Sequence, residues 1–244
     1  MNQQQIILGN HTPAELEHIM QTASNIGDAG ERIQFLSGQF LGTGYAESTL
    51  IGNSEMQEIL VINFQGVDCM TFIEYIEAMR LSLSFPEFIA NLKRVRYKSG
   101  AVDYYARKHF FTDWKESSQD VIEDITERIA GNRTVRVHKK LNQKDDGTFF
   151  LKEIEPVLRE ISYVPSEEID QEIIDNLRGG DYIGLFSDLP GLDVSHTGII
   201  VRYEYVVYFR HASSQPQYRR VIDEDFKEYI TGKTGIVVFR PKIR

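Results

Sequence analysis

Residues 196–213 read HTGIIVRYEYVVYFRHAS, and their pattern sets the fold class. β-branched and aromatic residues recur at strand spacing on both sides of Tyr203-Glu204, which predicts two strands around a turn. If the turn is centred on those two residues, Arg202 faces Tyr205 and His196 falls opposite His211. Directly opposed residues share a face, with Cβ atoms about 4.5–5.5 Å apart. One imidazole could then orient the other, whereas a one-residue bulge would send the rings to opposite faces. DYIGLF (181–186) precedes this pair and GIVVFRP (235–241) follows it, both strand-like. Several consecutive strands after a helical stretch argue for α+β, with helices packed on an antiparallel sheet.

The elements upstream are read from periodicity and caps. Thr12-Pro13-Ala14-Glu15 predicts a helix start with a capping box, and Leu16, Ile19, Met20, Ala23 and Ile26 follow at helical spacing. A second helix carries Ile33, Leu36 and Phe40 and ends near Gly42-Thr43-Gly44. EMQEILVINF (55–64) predicts a strand, and CMTFIEYIEAMRLSL (69–83) a helix with Phe72, Ile73, Ile76, Met79 and Leu83 inward. VIEDITERIAG (121–131) reads as a helix stopped by Gly131, TVRVHKKL (134–141) as a strand, and Ser166 to Leu177 as a helix. No repeat or linker divides the 244 residues, so they are read as a single elaborated domain.

Composition narrows the function. The chain is 41% hydrophobic and 26% charged, a globular balance, and its 36 acidic against 27 basic residues give a net charge of −9. Proteins that grip nucleic acid or an anionic membrane usually carry the opposite sign. The basic stretches LKRVRYK (92–98) and RTVRVHKK (133–140) read as solvated faces. One cysteine excludes an intrachain disulfide and any zinc site with two cysteine ligands. No apolar run is long enough to span a bilayer. The N-terminus MNQQQIILGNHTP has no signal-peptide pattern, as expected of a cytoplasmic protein or of an exported one whose leader is gone.

Asp68 is a natural helix cap and puts Cys69 on the first turn of the following helix. There the unpaired N–H groups and the positive dipole end stabilise a thiolate, and thiol pKa values can fall to about 3.5–7.5. The competing role for Cys69 is a small buried hydrophobe. His196 and His211 favour the nucleophile. As a metal site, Cys69, His196 and His211 match no compact zinc spacing. LGTGYAE lacks the phosphate-loop and dinucleotide glycine patterns, so no cofactor is expected. His11, His18 and His138 read as surface residues. In RKHFFTDW (107–114), Asp113 and Trp114 beside His109 could line a pocket, or Trp114 could anchor the core.

These residues fall into blocks. FLGTGYAESTL (40–50) followed by FQGVDCMTFIE (64–74) is similar to the nucleophile region of NlpC-type, papain-like cell-wall hydrolases. RKHFFTDW, GGDYIGLFSD (179–188), GLDVSHTGIIV (191–201) and RHASS (210–214) resemble one branch, the N-acetylmuramoyl-L-alanine amidase-like family. The order is cysteine before histidine, unlike the permuted relatives. The resemblance implies a papain-like core, with helices in residues 1–50 and an insertion at about 85–180 between the nucleophile helix and the catalytic sheet. It implies Cys69 as nucleophile, His196 as general base and acid, and His211 as the orienting third member. Tyr45 matches an upstream tyrosine that helps hold the oxyanion, and Asp68 would contact substrate or simply cap the helix. Gly44 stands where proline is common, and the gap from tyrosine to cysteine is longer than in compact domains.

The implied reaction is hydrolysis of the amide between N-acetylmuramic acid, 1,6-anhydro forms included, and L-alanine. The same triad would serve an endopeptidase acting between D-glutamate and a diamino acid, and a third alternative is a scaffold that binds wall fragments without catalysis. Trp114 and Tyr104 or Tyr105 would stack on sugars. The implied partner is a muropeptide and the implied site of action the periplasm or cell envelope.

Overall fold

A computed structural model describes residues 4–242; Met1 to Gln3, the first residues of the N-terminus read above, lie outside it. The chain divides into two compact units. The first comprises residues 4–108 and 210–223, the second residues 109–209 and 224–242. Both mix helix and strand, so the fold is α+β.

The first unit opens with β1 (Gln4–Ile7), α1 (Pro13–Ser24), α2 (Ala29–Gly38) and β2 (Gly44–Tyr45). Then come β3 (Leu60–Asn63), β4 (Gly66–Val67), α3 (Cys69–Arg80) and α4 (Phe85–Arg96). At α1 the Thr12 hydroxyl accepts the Glu15 N–H while the Glu15 carboxylate accepts the Thr12 N–H at 2.7 Å, the reciprocal capping box. Leu16, Met20 and Ala23 are buried, as their spacing predicts. β1 is a strand that the sequence reading did not anticipate. Gln4 to Ile7 pair in parallel with β3, a partner more than fifty residues away. α3 packs against α1, α2 and α4, so Thr71 to Arg80 are buried on every side. It stops at Arg80; Leu83, expected on its inner stripe, is exposed.

LKRVRYK corrects an expectation. Ser84 caps α4, and the helix turns Phe85, Phe88, Leu92 and Val95 inward. Arg96 is fully buried, donating to Glu74 at 2.7 Å and to the Val61 carbonyl at 2.7 Å. The stretch is amphipathic, with only part of its charge facing water. His18 and His138 are exposed; His11 is half-buried, its ring edge-on to Phe64 at 6.1 Å.

In the second unit, α5 (Asp113–Ser117), β5 (Ile122–Asp124), α6 (Thr126–Ala130), β6 (Val135–Leu141), β7 (Val157–Pro165) and α7 (Gln171–Asn176) precede the strands β8 (Tyr182–Phe186) and β9 (Val194–Tyr203). β10 (Val206–Ser213) begins in this unit and ends in the first. β11 (Arg220–Asp225), α8 (Phe226–Ile230) and β12 (Gly235–Pro241) complete the chain. The strand order here is β10-β9-β8-β12-β7-β6, and Ile125, Ile183, Ile200, Phe209 and Val238 lie in its core.

Two predicted helices are shorter than expected. Ile122 to Asp124 form β5 instead, because β12 offers a ladder: Ile122 pairs with Pro241 and Asp124 with Phe239. Thr126 then starts α6, its hydroxyl accepting the Val238 N–H at 2.9 Å. Ser166 to Glu168 make a single 3₁₀ turn, and Asp170 caps the real helix by accepting the Ile173 N–H. The β9–β10 turn is Glu204-Tyr205, one residue later than expected, with Glu204 left-handed at φ 52°. A two-residue hairpin loop favours positive φ because that twist matches the flanking strands.

Among the described residues, no helix is long and apolar enough to cross a membrane.

Candidate active site

The Asp68 carboxylate accepts the Thr71 N–H at 2.8 Å, and the Thr71 hydroxyl accepts the Asp68 N–H at 2.9 Å. That box fixes the start of α3 and makes Cys69 its first residue, half-buried. Two orphan donors are thereby satisfied, while the remaining N–H groups of the first turn leave a positive field around the cysteine.

Tyr45 lies on the neighbouring strand. β2 and β4 run parallel with Tyr45 beside Val67, and the Ala46 N–H donates to the Val67 carbonyl at 3.0 Å, two residues before Cys69. The strands come close because residue 66 is glycine; a Cβ there would sit 2.8 Å from that of Ala46. Burial first, then the negative charges of Cys69 and Asp68, raise the Tyr45 hydroxyl above its ordinary pKa. The phenol therefore stays protonated at neutral pH, able to donate a hydrogen bond.

β11 pairs antiparallel with β2, Arg220 facing Gly44, and the second half of β10 lies beside β11. The C-terminal ends of β4, β2 and β10 and the N-terminal end of β11 thus gather at one end of the first unit. Cys69, Tyr45 and Arg219 are there, and His211, 1% exposed, lies in the C-terminal half of β10. Next to it, Arg210 holds Asp223 through two hydrogen bonds of 2.7 Å and the Ser37 hydroxyl at 3.0 Å, which ties β10 to β11 and α2.

His196 belongs to the second unit. On β9 it pairs with Leu185, while Val194 pairs with Phe186, so Ser195 is an extra residue in a β-bulge. Bulges concentrate next to active sites, where they re-aim a side chain. The imidazole is half-buried, with its ring edge-on to Phe209 at 6.1 Å. Before the bulge, buried Asp193 accepts the Thr112 N–H at 2.7 Å, the Thr112 hydroxyl at 2.9 Å and the Val194 N–H at 2.7 Å. Burial pushes its carboxyl above the ordinary range, and the Thr112 bonds oppose that. Asp193→Ala should cost about 1–3 kcal/mol by stranding these buried donors, read as a lower denaturant midpoint. Asp193→Asn, which keeps one oxygen acceptor, should cost less. Equal stability of Asp193→Ala and the native protein would show that this pin carries nothing.

Of the residues expected to line a pocket or stack on sugars, Trp114, Asp113 and Tyr104 are buried and Tyr105 is exposed. Trp114 is 1% exposed, edge-on to Tyr182 at 5.4 Å and tilted against Phe111, so it is a core anchor with no face open to a sugar. Asp113 is buried, accepting the Phe110 N–H at 3.1 Å and pairing with Arg159 at 3.0 Å. Tyr104 is 6% exposed, under the Arg107 guanidinium; Tyr105 next to it is exposed. Among the described residues, no three His, Cys, Asp or Glu side chains group as metal ligands.

Residues 35–236 match the sequence model of the AmiA-like family, described as N-acetylmuramoyl-L-alanine amidase-like. The chain belongs to that family. A solved N-acetylmuramoyl-L-alanine amidase from Bacteroides uniformis shares 25% identity, covering 88% of this chain and 99% of its own, with a TM-score of 0.72. A Legionella pneumophila protein, 23% identical over 94% of both chains with a TM-score of 0.77, is alike in fold. A Bacteroides fragilis protein provisionally named a xylanase is 28% identical over 84% of this chain and 99% of its own, with a TM-score of 0.68. No curated protein matches the sequence.

Membership in an amidase-like family supports a peptidoglycan amidase-like role. Two groups, one just before His196 and one beside Tyr45, escaped the sequence reading. Asp193 stands inside the quoted block GLDVSHTGIIV but has no local signature, because Thr112 reaches it from 81 residues away. Arg219 looks like a loop cation until Tyr45 is placed beneath it.

Proposed function

We propose that the chain is a cysteine-dependent amidase acting on muropeptides, built on a papain-like core as one catalytic domain, and working outside the cytoplasm where such fragments arise. The bond is the amide joining N-acetylmuramic acid, 1,6-anhydro forms included, to L-alanine. The observation that carries this reading is Cys69 on the first turn of α3, with Tyr45 on the strand paired to the one that leads into it.

An amide resists direct hydrolysis, and a thiolate divides the task. The Cys69 sulfur attacks the lactyl carbonyl, and the Tyr45 hydroxyl and the Cys69 N–H receive the oxyanion. His196, holding the proton taken from the thiol, gives it to the departing L-alanine amine, leaving a thioester. It then takes a proton from water, which attacks the thioester and releases the acid and the thiolate. His211 is the orienting partner that would select the productive tautomer of His196. Moving the hairpin centre by one residue slides the strands by two, which preserves the parity of their faces. It also takes His196 and His211 out of the direct opposition expected from a Tyr203-Glu204 centre, so the orienting role of His211 rests on likeness to the family alone.

Digestion of an anhydro-muropeptide followed by mass spectrometry tests the bond. The expected products are the anhydro-disaccharide acid and a peptide that begins with intact L-alanine. Release of L-alanyl-D-glutamate still attached to sugar would replace this assignment with the endopeptidase.

A further inference from the structure

Arg219 closes the loop between β10 and β11. Its N–H donates to the Gln215 carbonyl at 3.0 Å, and its own carbonyl accepts the Tyr45 N–H at 2.8 Å. Its backbone is left-handed, at φ 44°. A non-glycine residue held there is strained, and such strain persists only where surrounding bonds over-determine it. Here those bonds are the Tyr45 contact and the pairing of Arg220 with Gly44 on the next residue. The strain aims one side chain: the guanidinium carbon sits 4.7 Å from the centre of the Tyr45 ring.

That cation is poorly neutralised. Its carboxylate neighbour, Glu47, is 3.8 Å away, too far for a hydrogen bond, and the two side chains are 46% and 69% exposed. The fork of N–H donors beyond the ring is open to solvent. The chain as a whole carries −9, so an anionic ligand approaching it is repelled unless a local cation receives it.

We propose that Arg219 is the carboxylate-binding residue of the substrate site, taking the free α-carboxylate of D-glutamate in the stem peptide. This rests on the muropeptide reading above. D-glutamate follows L-alanine, so its carboxylate lies about 7 Å along an extended chain from the amide to be cut. The strand that Arg219 leads into, β11, is two strand spacings from β4, which leads to Cys69, about 10 Å, and an arginine side chain spans the difference. The planar fork suits a bidentate carboxylate contact, and stacking on Tyr45 pre-orients it.

The test compares two synthetic muropeptides, one with D-glutamate and one with D-isoglutamine, whose carboxylate is an amide. Arg219→Gln should raise KM for the first by about 10–100-fold while leaving kcat within a few-fold. For the second, KM and kcat should stay as in the native enzyme. Arg219→Lys should recover part of the loss, because the charge remains and the fork is gone. Equal losses on both substrates, a fall in kcat alone, or no change would overturn the proposal; a fall in kcat alone would assign Arg219 to the Cys69 and Tyr45 charges instead. Calorimetric binding of both peptides to Cys69→Ala, with and without Arg219→Gln, separates the two hypotheses. Discrimination against D-isoglutamine that vanishes with Arg219→Gln supports the anchor even if Cys69 proves not to be the nucleophile, and its absence overturns the anchor while the amidase reading stands.

Discussion

Replacing Cys69 by alanine is expected to lower muropeptide hydrolysis by at least about 10⁴-fold with little change in stability. The size follows from the role: a nucleophile acts as a unit with its base, so losing it removes almost everything the assembly contributes. The stability follows from the caps. The Asp68–Thr71 box holds the start of α3 without help from the cysteine side chain, and a half-buried thiol contributes little packing. Binding of the muropeptide should survive, since oxyanion and substrate contacts do not need sulfur in the ground state. Two readouts check this: product mass after long incubation, and the intact mass of the native enzyme quenched during turnover, which should show an acyl adduct on Cys69. Turnover by Cys69→Ala at the native rate would end the nucleophile assignment. Iodoacetamide alkylation across pH 4 to 9 gives a complementary view. Helix-terminal activation predicts labelling that persists well below pH 7, whereas a rate rising only near pH 8.5 marks an ordinary thiol.

The cysteine's place was legible because capping chemistry is local. Asp68, Cys69 and Thr71 lie within one turn, so four residues of sequence specify the helix start. The strands from Tyr182 onward were legible for a similar reason, since β-branched and aromatic runs bounded by turns need no distant partner to be recognised. What failed depended on partners remote in sequence. QQII becomes β1 only because Leu60 to Asn63 present a parallel edge to it. VIED becomes β5 only because β12 is there to pair with, which overrides a respectable helical period. The β9–β10 turn shifted by one residue because Glu204 adopts a left-handed conformation that its residue type does not advertise. The sequence leaves Trp114 open as pocket lining or core anchor, and only its contacts with Tyr182 and Phe111 decide between the two. Arg219 is the extreme case. Nothing in QYRRVI distinguishes one arginine from the next, and it is the backbone bond to Tyr45 that turns one of them toward the candidate site.

Arg96 shows the same limit with an energetic consequence. Removing its partner, as in Glu74→Leu, is expected to cost about 3–5 kcal/mol, because a buried guanidinium is left without its counter-charge. The side chains of Arg96 and Glu74 are 0% and 3% exposed and meet at 2.7 Å, so water cannot take over the lost contact. Burial pushes the Glu74 carboxyl above its usual range while the Arg96 charge pulls it back; the guanidinium itself is held firmly protonated by Glu74. The Val61 carbonyl would remain as an acceptor for Arg96, and the face of Tyr75, 5.7 Å from the guanidinium carbon, would remain beside it. Neither carries a full negative charge. For a chain of this size the melting temperature should fall by roughly 6–20 °C. Replacing both partners, Glu74→Leu with Arg96→Met, should recover most of the loss, since apolar side chains of similar volume satisfy a dry site without desolvating charge. The recovery is the informative part. If the double variant is as unstable as Glu74→Leu alone, the damage comes from disturbed packing between α3 and α4 and the ion pair is incidental. If it regains stability, a buried pair read from the sequence as a solvated basic face is a charge balance that the core beneath Cys69 must keep.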